Sequence, residues 1–184
     1  MRKPVYRHPS FVTKVEAKKT STKRYWLTLE IDKTKSEKII VILKNPSRAT
    51  KDISDKTVFN VTSYIYKNSK TNKLLKNVGT IVILNLIPNY ETYSEKLQHL
   101  ENSILDKKNL KTIDDFSSKN SLVIIAWGNP PKGLKQEYNE IRDSTIEILK
   151  RNKNKIFYIH KLSALGNPKH GQIWAYKNEM KKYI

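Results

Sequence analysis

The chain has 184 residues, with 36 lysine and arginine residues against 17 aspartate and glutamate residues, which gives a formal net charge of +19. This length favours one domain, residues 1–184, with a full core. The charge favours a polyanionic partner, most simply nucleic acid, although a solvated lysine-rich surface would give the same composition. The absence of cysteine excludes disulfides, cysteine-bound zinc and thiol catalysis.

The N-terminus carries no targeting signal that we can identify. Its first ten residues, MRKPVYRHPS, contain no apolar core of the kind that a signal peptide needs. No apolar run approaches the roughly 18 residues that a membrane span requires. We therefore expect a cytoplasmic monomer, with residues 1–23 forming a basic extension.

The first half of the chain predicts two strands and a helix. Residues 24–31, RYWLTLEI, alternate between apolar and polar side chains, as a half-buried strand does. Residues 38–44, KIIVILK, form a continuous β-branched run that is typical of a buried central strand. The two strands are expected to pair as an N-terminal β-hairpin element. Residues 57–69 are interpreted as the helix that carries the chain back between strands.

The second half continues this alternation of strands and helices. Buried strands are predicted at residues 78–88, 121–128 and 155–160. One or two amphipathic helices are predicted within residues 90–108, with Ser94 as a candidate N-cap. A further helix is predicted at residues 132–152, and it would bury Leu134, Tyr138, Ile141, Thr145 and Ile148. Residues 161–184 are expected to form a loop and a short basic helix. Together these elements predict an α/β three-layer sandwich with a central, mostly parallel four-stranded sheet.

In an open α/β sheet, ligands bind beyond the carboxyl ends of the strands. Those ends carry Asn45-Pro46-Ser47, Asn85, Trp127-Gly128, and the segment that contains His160 and His170. An asparagine can present an amide edge that matches the donor and acceptor pattern of a nucleobase. Trp127, at the end of an apolar strand, is interpreted as core packing.

Several familiar sites are absent from the sequence. There is no phosphate-binding P-loop, no dinucleotide-binding glycine motif and no nucleophile elbow. The four histidines are too scattered for a local metal motif. Asp52 and Asp55 could hold Mg²⁺ or could cap the next helix, and capping is the favoured interpretation. We expect no metal and no cofactor.

The motif order resembles known families. Asn45-Pro46-Ser47-Arg48-Ala49 and Asp55-Lys56-Thr57 resemble the N-P-S-x-A…D-x-T signature of a family of uncharacterised bacterial and mobile-element domains. Beyond that signature, the layout resembles the uracil-DNA glycosylase superfamily, its mismatch-specific branch in particular. This resemblance implies a glycosylase-like fold.

The same resemblance implies roles for individual residues. Asn45 would position the attacking water, Phe59 (or, less favoured, Tyr64) would stack on the flipped base, and Asn85 would read the uracil edge. His170 would stabilise the departing base, with His160 as its rival. The remaining contacts would come from Pro46 and Ser47 on the substrate, and from Lys132, Lys169, Gln172, Ile173 and Trp174 on DNA, with Ile173 or Trp174 wedged into the duplex.

Two departures from the glycosylase pattern bear on specificity and catalysis. Stringent uracil enzymes place a tyrosine where this chain has Ser47, so thymine exclusion is in doubt. The last loop lacks the usual His-Pro-Ser, which the glycosylases carry around the histidine that His170 would replace.

The function that the resemblance implies is hydrolysis of the N-glycosidic bond of uracil, or of a related deaminated base, flipped out of DNA. The alternatives are a non-catalytic DNA-binding module and a metal-dependent nucleotide- or base-modifying enzyme.

Overall fold

A computed structural model of the chain describes residues 6–91 and 104–183. In chain order its elements are β1 (Lys14–Lys19), β2 (Arg24–Glu30), β3 (Glu37–Leu43), α1 (Lys56–Asn68), β4 (Val78–Asn85), α2 (Lys107–Ser117), β5 (Leu122–Ile125), α3 (Lys135–Arg151), β6 (Lys155–Ile159), a 3₁₀ turn (Gly171–Ile173) and β7 (Met180–Lys182).

All seven strands join one mixed sheet in the order β1-β2-β4-β3-β5-β6-β7. The β3–β4, β3–β5 and β5–β6 pairs are parallel, and the β1–β2, β2–β4 and β6–β7 pairs are antiparallel. The carboxyl ends of β3, β4 and β5 therefore reach the same edge of the sheet. This edge is where a ligand of an open α/β sheet would bind.

The sheet buries apolar side chains on both faces. One face is covered by α1 through Val58, Val61 and Ile65, packed on alternate residues of β3 and β4. The other face is covered by α3, whose Tyr138 and Ile141 pack with the intervening strand residues. Burial on two sides explains why the central strands are continuous apolar runs.

The predicted sheet is wrong in its size and pairing. The chain forms seven strands in a mixed sheet, not a mostly parallel sheet of four, because antiparallel strands extend the sheet at both sides. The predicted hairpin between residues 24–31 and 38–44 is also wrong, since β4 lies between β2 and β3. The N-terminal hairpin is formed by β1 and β2, and β1 lies inside the stretch expected to be an extension.

Most local predictions agree with the structure, and the tail does not. The four buried strands, the helix after residue 56 and the helix at residues 135–151 are confirmed. The tail forms β7 in place of the predicted basic helix. The predicted Ser94 cap and most of the predicted helical range 90–108 lie outside the described residues. The helix α2 begins at Lys107 and is capped by Asp106. Within the described ranges, no helix is long and apolar enough to cross a membrane.

Candidate functional site

The loop after β3 is held by the segment that follows β4. Backbone N–H groups of Leu86, Ile87 and Glu91 donate to the carbonyls of Leu43, Lys44 and Pro46, at 2.9, 2.9 and 3.0 Å. The Asn45 Nδ2 donates to the Pro46 carbonyl at 3.1 Å and to the Glu91 carbonyl at 2.6 Å.

Both N–H groups of the Asn45 side-chain amide are thus paired with backbone carbonyls. Among the described residues nothing donates to Asn45 Oδ1, which can still accept a hydrogen bond. An amide held in this way presents its oxygen in a fixed direction. That oxygen can orient a water molecule or accept from a ligand.

Asn85 ends β4 and is the most informative residue of this edge. It is 0% exposed, and neither its Nδ2 nor its Oδ1 has a hydrogen-bond partner in the part of the chain that the structure describes. Alternation along the strand places it on the same sheet face as Ile81 and Ile83, the face that α1 covers. Its backbone carbonyl accepts from Asn109 Nδ2 at 2.8 Å. Buried amides are nearly always paired, so this one points to a missing partner.

Asp55 caps α1, as the favoured interpretation predicts. Its Oδ1 accepts from the Val58 N–H at 2.9 Å and its Oδ2 accepts from the Ala49 N–H at 3.2 Å. Asp52 is exposed and does not cap the helix. Among residues 6–91 and 104–183 no three histidine or acidic side chains are grouped so that they could hold a metal.

Arg24 lies beneath the same loop and was not anticipated. The residue is 1% exposed, and its Nη1 donates to the Ala49 carbonyl at 2.9 Å while its Nε has no partner. Burial lowers the pKa of the guanidinium, and the nearby charges of Asp55 and Tyr90 oppose that shift. In the sequence, Arg24 is a charged residue at the start of an alternating strand, and such a residue is normally interpreted as an exposed strand boundary.

His170 is carried to this edge by a tightly packed loop. A Cβ on Gly128, whose φ is +71°, would lie 3.3 Å from the His170 Cβ. A Cβ on Gly171 would lie 2.6 Å from Val61 Cγ2 and 3.2 Å from Leu43 Cδ2. Glycine at both positions lets the loop approach the ends of β3 and β5.

The surroundings of His170 keep its imidazole neutral. Burial, together with the nearby charge of Lys44, lowers the pKa of His170 from 6.5 to about 4, against a smaller opposing effect of Asp55. The His170 Nδ1 accepts from the Gln172 N–H at 3.3 Å. The proton of the neutral ring therefore resides on Nε2, which can donate to a ligand.

The structure brings Asn45, Asn85 and His170 to one edge. Leu43 pairs in register with Asn85, and Gly171 packs on Leu43. Pro46 is buried and Ser47 is half-buried in the same loop. His160 is exposed at the end of β6 in a left-handed conformation, with φ 76°. His170 is thus the histidine that packs on this edge.

The predicted aromatic residues make contacts within the protein. Phe59 packs on Tyr6, with ring centroids 5.8 Å apart. Tyr64 donates from its hydroxyl to the Asn178 carbonyl at 2.7 Å and packs edge-on against Trp174. Trp127 is 0% exposed in the core, as interpreted from the sequence.

Among the predicted DNA contacts, accessibility differs. Trp174 is 6% exposed, whereas Ile173 is 61% exposed and is the wedge candidate that solvent can reach. Lys132 and Gln172 are exposed, and Lys169 is half-buried.

The model of a family described as "Protein of unknown function (DUF1643)" matches residues 24–171. The chain belongs to the DUF1643 family. This confirms the predicted membership of an uncharacterised family. The DUF1643 match begins at the buried Arg24 and ends at Gly171, so it includes the whole candidate site, while β1 and β7 lie outside it. No curated protein and no solved structure matches the chain. The resemblance to uracil-DNA glycosylases stays a prediction.

Proposed function

We propose that the chain is a DNA glycosylase that takes a flipped uracil, or a related deaminated base, into the edge formed by Asn45, Asn85 and His170, and hydrolyses its N-glycosidic bond. The observation that carries the proposal is the Asn85 amide, which is buried without a partner. An unmet buried polar group costs about 1–3 kcal/mol. A ligand that supplies one donor and one acceptor would recover this cost.

Uracil offers such a pair along one edge. Its N3–H is a donor and its neighbouring carbonyl is an acceptor, which complements the Oδ1 and Nδ2 of one asparagine. A base inside a duplex cannot reach a buried amide. It must be flipped out at a cost of a few kcal/mol, which hydrogen bonds to its edge offset. The net charge of +19 supports the required grip on phosphates.

Two further side chains support hydrolysis. Asn45 Oδ1, held by the two bonds of its amide nitrogen, would accept from a water molecule and direct its oxygen at the sugar C1′. The neutral His170 would donate from Nε2 to the base oxygen that gains negative charge as the bond breaks. A preorganised donor of this kind stabilises the transition state more than the ground state.

A second candidate is a DNA-binding module that holds a base without chemistry. It is favoured by the character of Asn45, since an amide cannot remove a proton from water as a carboxylate can. A metal-dependent reaction at Asp55 has less support, because both of its carboxylate oxygens already accept backbone N–H groups.

The test is release of uracil from single- and double-stranded DNA, with alkali used to cleave the abasic sites. Asn45→Ala is expected to lower the rate by orders of magnitude while DNA affinity is retained, since the side chain orients water but binds no phosphate. Asn77→Ala, at the opposite end of β4, makes the same substitution on an exposed residue and should leave the rate unchanged.

The outcomes separate the candidates. DNA binding without uracil release at stoichiometric protein would favour the non-catalytic module. Loss of activity with EDTA would favour the metal-dependent enzyme. Release of thymine from mismatches would show that Ser47 leaves room for the thymine methyl group.

A further inference from the structure

Two lysine-bearing segments of the chain contain no acidic residue. None of the 17 aspartate and glutamate residues falls within residues 56–77 or 161–178. Residues 56–77 contribute five lysines and residues 161–178 contribute three. A solvated surface of mixed charge would not require this separation, whereas a surface for a polyanion would.

These two acid-free segments lie side by side. Asn60 Nδ2 donates to the Gln172 carbonyl at 2.6 Å, and Asn68 Nδ2 donates to the Tyr176 carbonyl at 3.2 Å. The tail after His170 therefore runs along α1 from Asn60 to Asn68, a distance of about 12 Å at 1.5 Å per helical residue. The candidate site lies at one end of this path.

A groove opens at the other end, lined by Tyr64, Asn68, Asn72, Tyr176, Lys177 and Asn178 among others, with a volume of about 460 Å³. We call it the tail groove. Tyr176 is 48% exposed at the groove, and the Lys67 Nζ lies 3.6 Å from its ring centroid. Glu179 also lines the groove, but its carboxylate pairs with Lys181 at 3.5 Å.

We propose that α1 and the tail groove bind a single strand of DNA that leads away from the candidate site. The exposed ammonium groups of Lys67, Lys70 and Lys177 grip the phosphates. The Tyr176 ring provides a stacking platform for a base. The Oδ1 atoms of Asn72 and Asn178 accept backbone N–H groups, which leaves their Nδ2 groups to donate to base edges. Cations beside an exposed aromatic ring are the combination that single-stranded nucleic acid requires. This assignment deepens the proposed function by locating its DNA surface.

The test compares two triple variants with equal loss of charge. Lys67→Ala/Lys70→Ala/Lys177→Ala removes three exposed lysines from this surface. Its matched control, Lys119→Ala/Lys135→Ala/Lys150→Ala, removes three exposed lysines at the ends of the helices that cover the opposite face of the sheet. The probe is a fluorescently labelled thymine-only single strand, followed by anisotropy over a range of salt concentrations.

The surface variant is expected to lower the slope of log affinity against log salt by about 2, since each lost phosphate contact on a single strand removes about 0.7. The control variant should lower it by less than half of that. Tyr176→Ala should weaken binding about tenfold by removing one stacked base, while Tyr176→Phe keeps the ring and should bind as the parent does. Equal slopes for the two triple variants would overturn the proposal.

Other polyanions give further contrary outcomes. Equal affinity for the duplex form, lost to the same extent in the surface variant, would exclude a single-strand site. Preferential binding to vesicles containing phosphatidylserine would assign the surface to a membrane. The probe contains no uracil, so this assay is independent of catalysis. If the surface variant loses DNA binding and the parent releases uracil from no substrate, the single-strand site in the tail groove is supported and the glycosylase function is rejected.

Discussion

Replacing Asn85 by leucine should stabilise the unbound protein and abolish the proposed release of uracil. The two side chains are similar in shape, and leucine removes two polar atoms that are buried without partners. Each orphan atom costs about 1–3 kcal/mol, and fitting a branched apolar side chain into a packed edge takes back about 1–3 kcal/mol. The net gain in unfolding free energy is about 2 kcal/mol.

Urea and thermal unfolding followed by circular dichroism measure this gain. For a chain of this size, about 2 kcal/mol corresponds to a rise in Tm of roughly 4–8 °C. Asn109→Leu is the matched control, because Asn109 is equally buried and its Nδ2 donates to the carbonyls of Asn85 and Leu86 at 2.8 and 3.0 Å. That variant should lose about 2 kcal/mol by breaking two hydrogen bonds.

A rise in unfolding free energy for Asn85→Leu and a fall for Asn109→Leu would show that the amide at position 85 lacks hydrogen-bond partners in the unbound protein. A Tm that falls in both would refute the reasoning, since it would mean that Asn85 is satisfied in the unbound protein. A stabilised Asn85→Leu variant that still releases uracil would remove Asn85 from base recognition. Stability given up at a ligand-binding residue is a common property of functional sites.

The remaining predictions concern His170 and Asp55. The folded pKa of His170, about 4, lies below the unfolded value of 6.5, so the unfolded chain binds more protons between them and stability falls as the pH falls through that window. When the pH is lowered from about 7.5 to about 4.5, the unfolding free energy of the parent should fall by about 2.5 kcal/mol more than that of His170→Gln. Urea titration at the two pH values measures both losses. Equal losses would mean that the pKa of His170 is not lowered by folding. Asp55→Ala should lower the unfolding free energy by about 1–2 kcal/mol by removing the cap of α1, and Mg²⁺ should not alter the Tm of the parent; a Tm that rises with Mg²⁺ would reinstate the metal.

The central strands could be predicted because a strand that is buried on both faces has a continuous run of apolar residues. Ile39–Leu43 and Ile81–Leu84 carry that signal without interruption. The edge strands were not predictable for the same reason. Residues 14–19, KVEAKK, are mostly exposed and read as a charged extension, and Met180–Lys182 read as a basic tail.

The pairing of strands depends on contacts that are distant in sequence. β2 and β3 are neighbours along the chain, yet β4 pairs with both of them. The candidate site shows the same limit. The ends of the predicted strands indicated Asn45, Asn85 and His170 as candidates. The sequence did not show that the Asn45 amide nitrogen donates to the Glu91 carbonyl, or that Arg24 is buried and donates to the Ala49 carbonyl, because both contacts join distant segments.

The two outermost strands also bear on how copies of this chain meet each other. Among the described strands, β1 and β7 each have one backbone edge without a partner strand, and both are rich in lysine: three of six residues in β1 and two of three in β7. An approaching copy that tried to extend the sheet would bring ammonium groups against ammonium groups. Natural sheets use lysine at such edges to oppose aggregation. The strands that lie outside the family match thus carry a positive charge that opposes edge-to-edge pairing between copies of the chain.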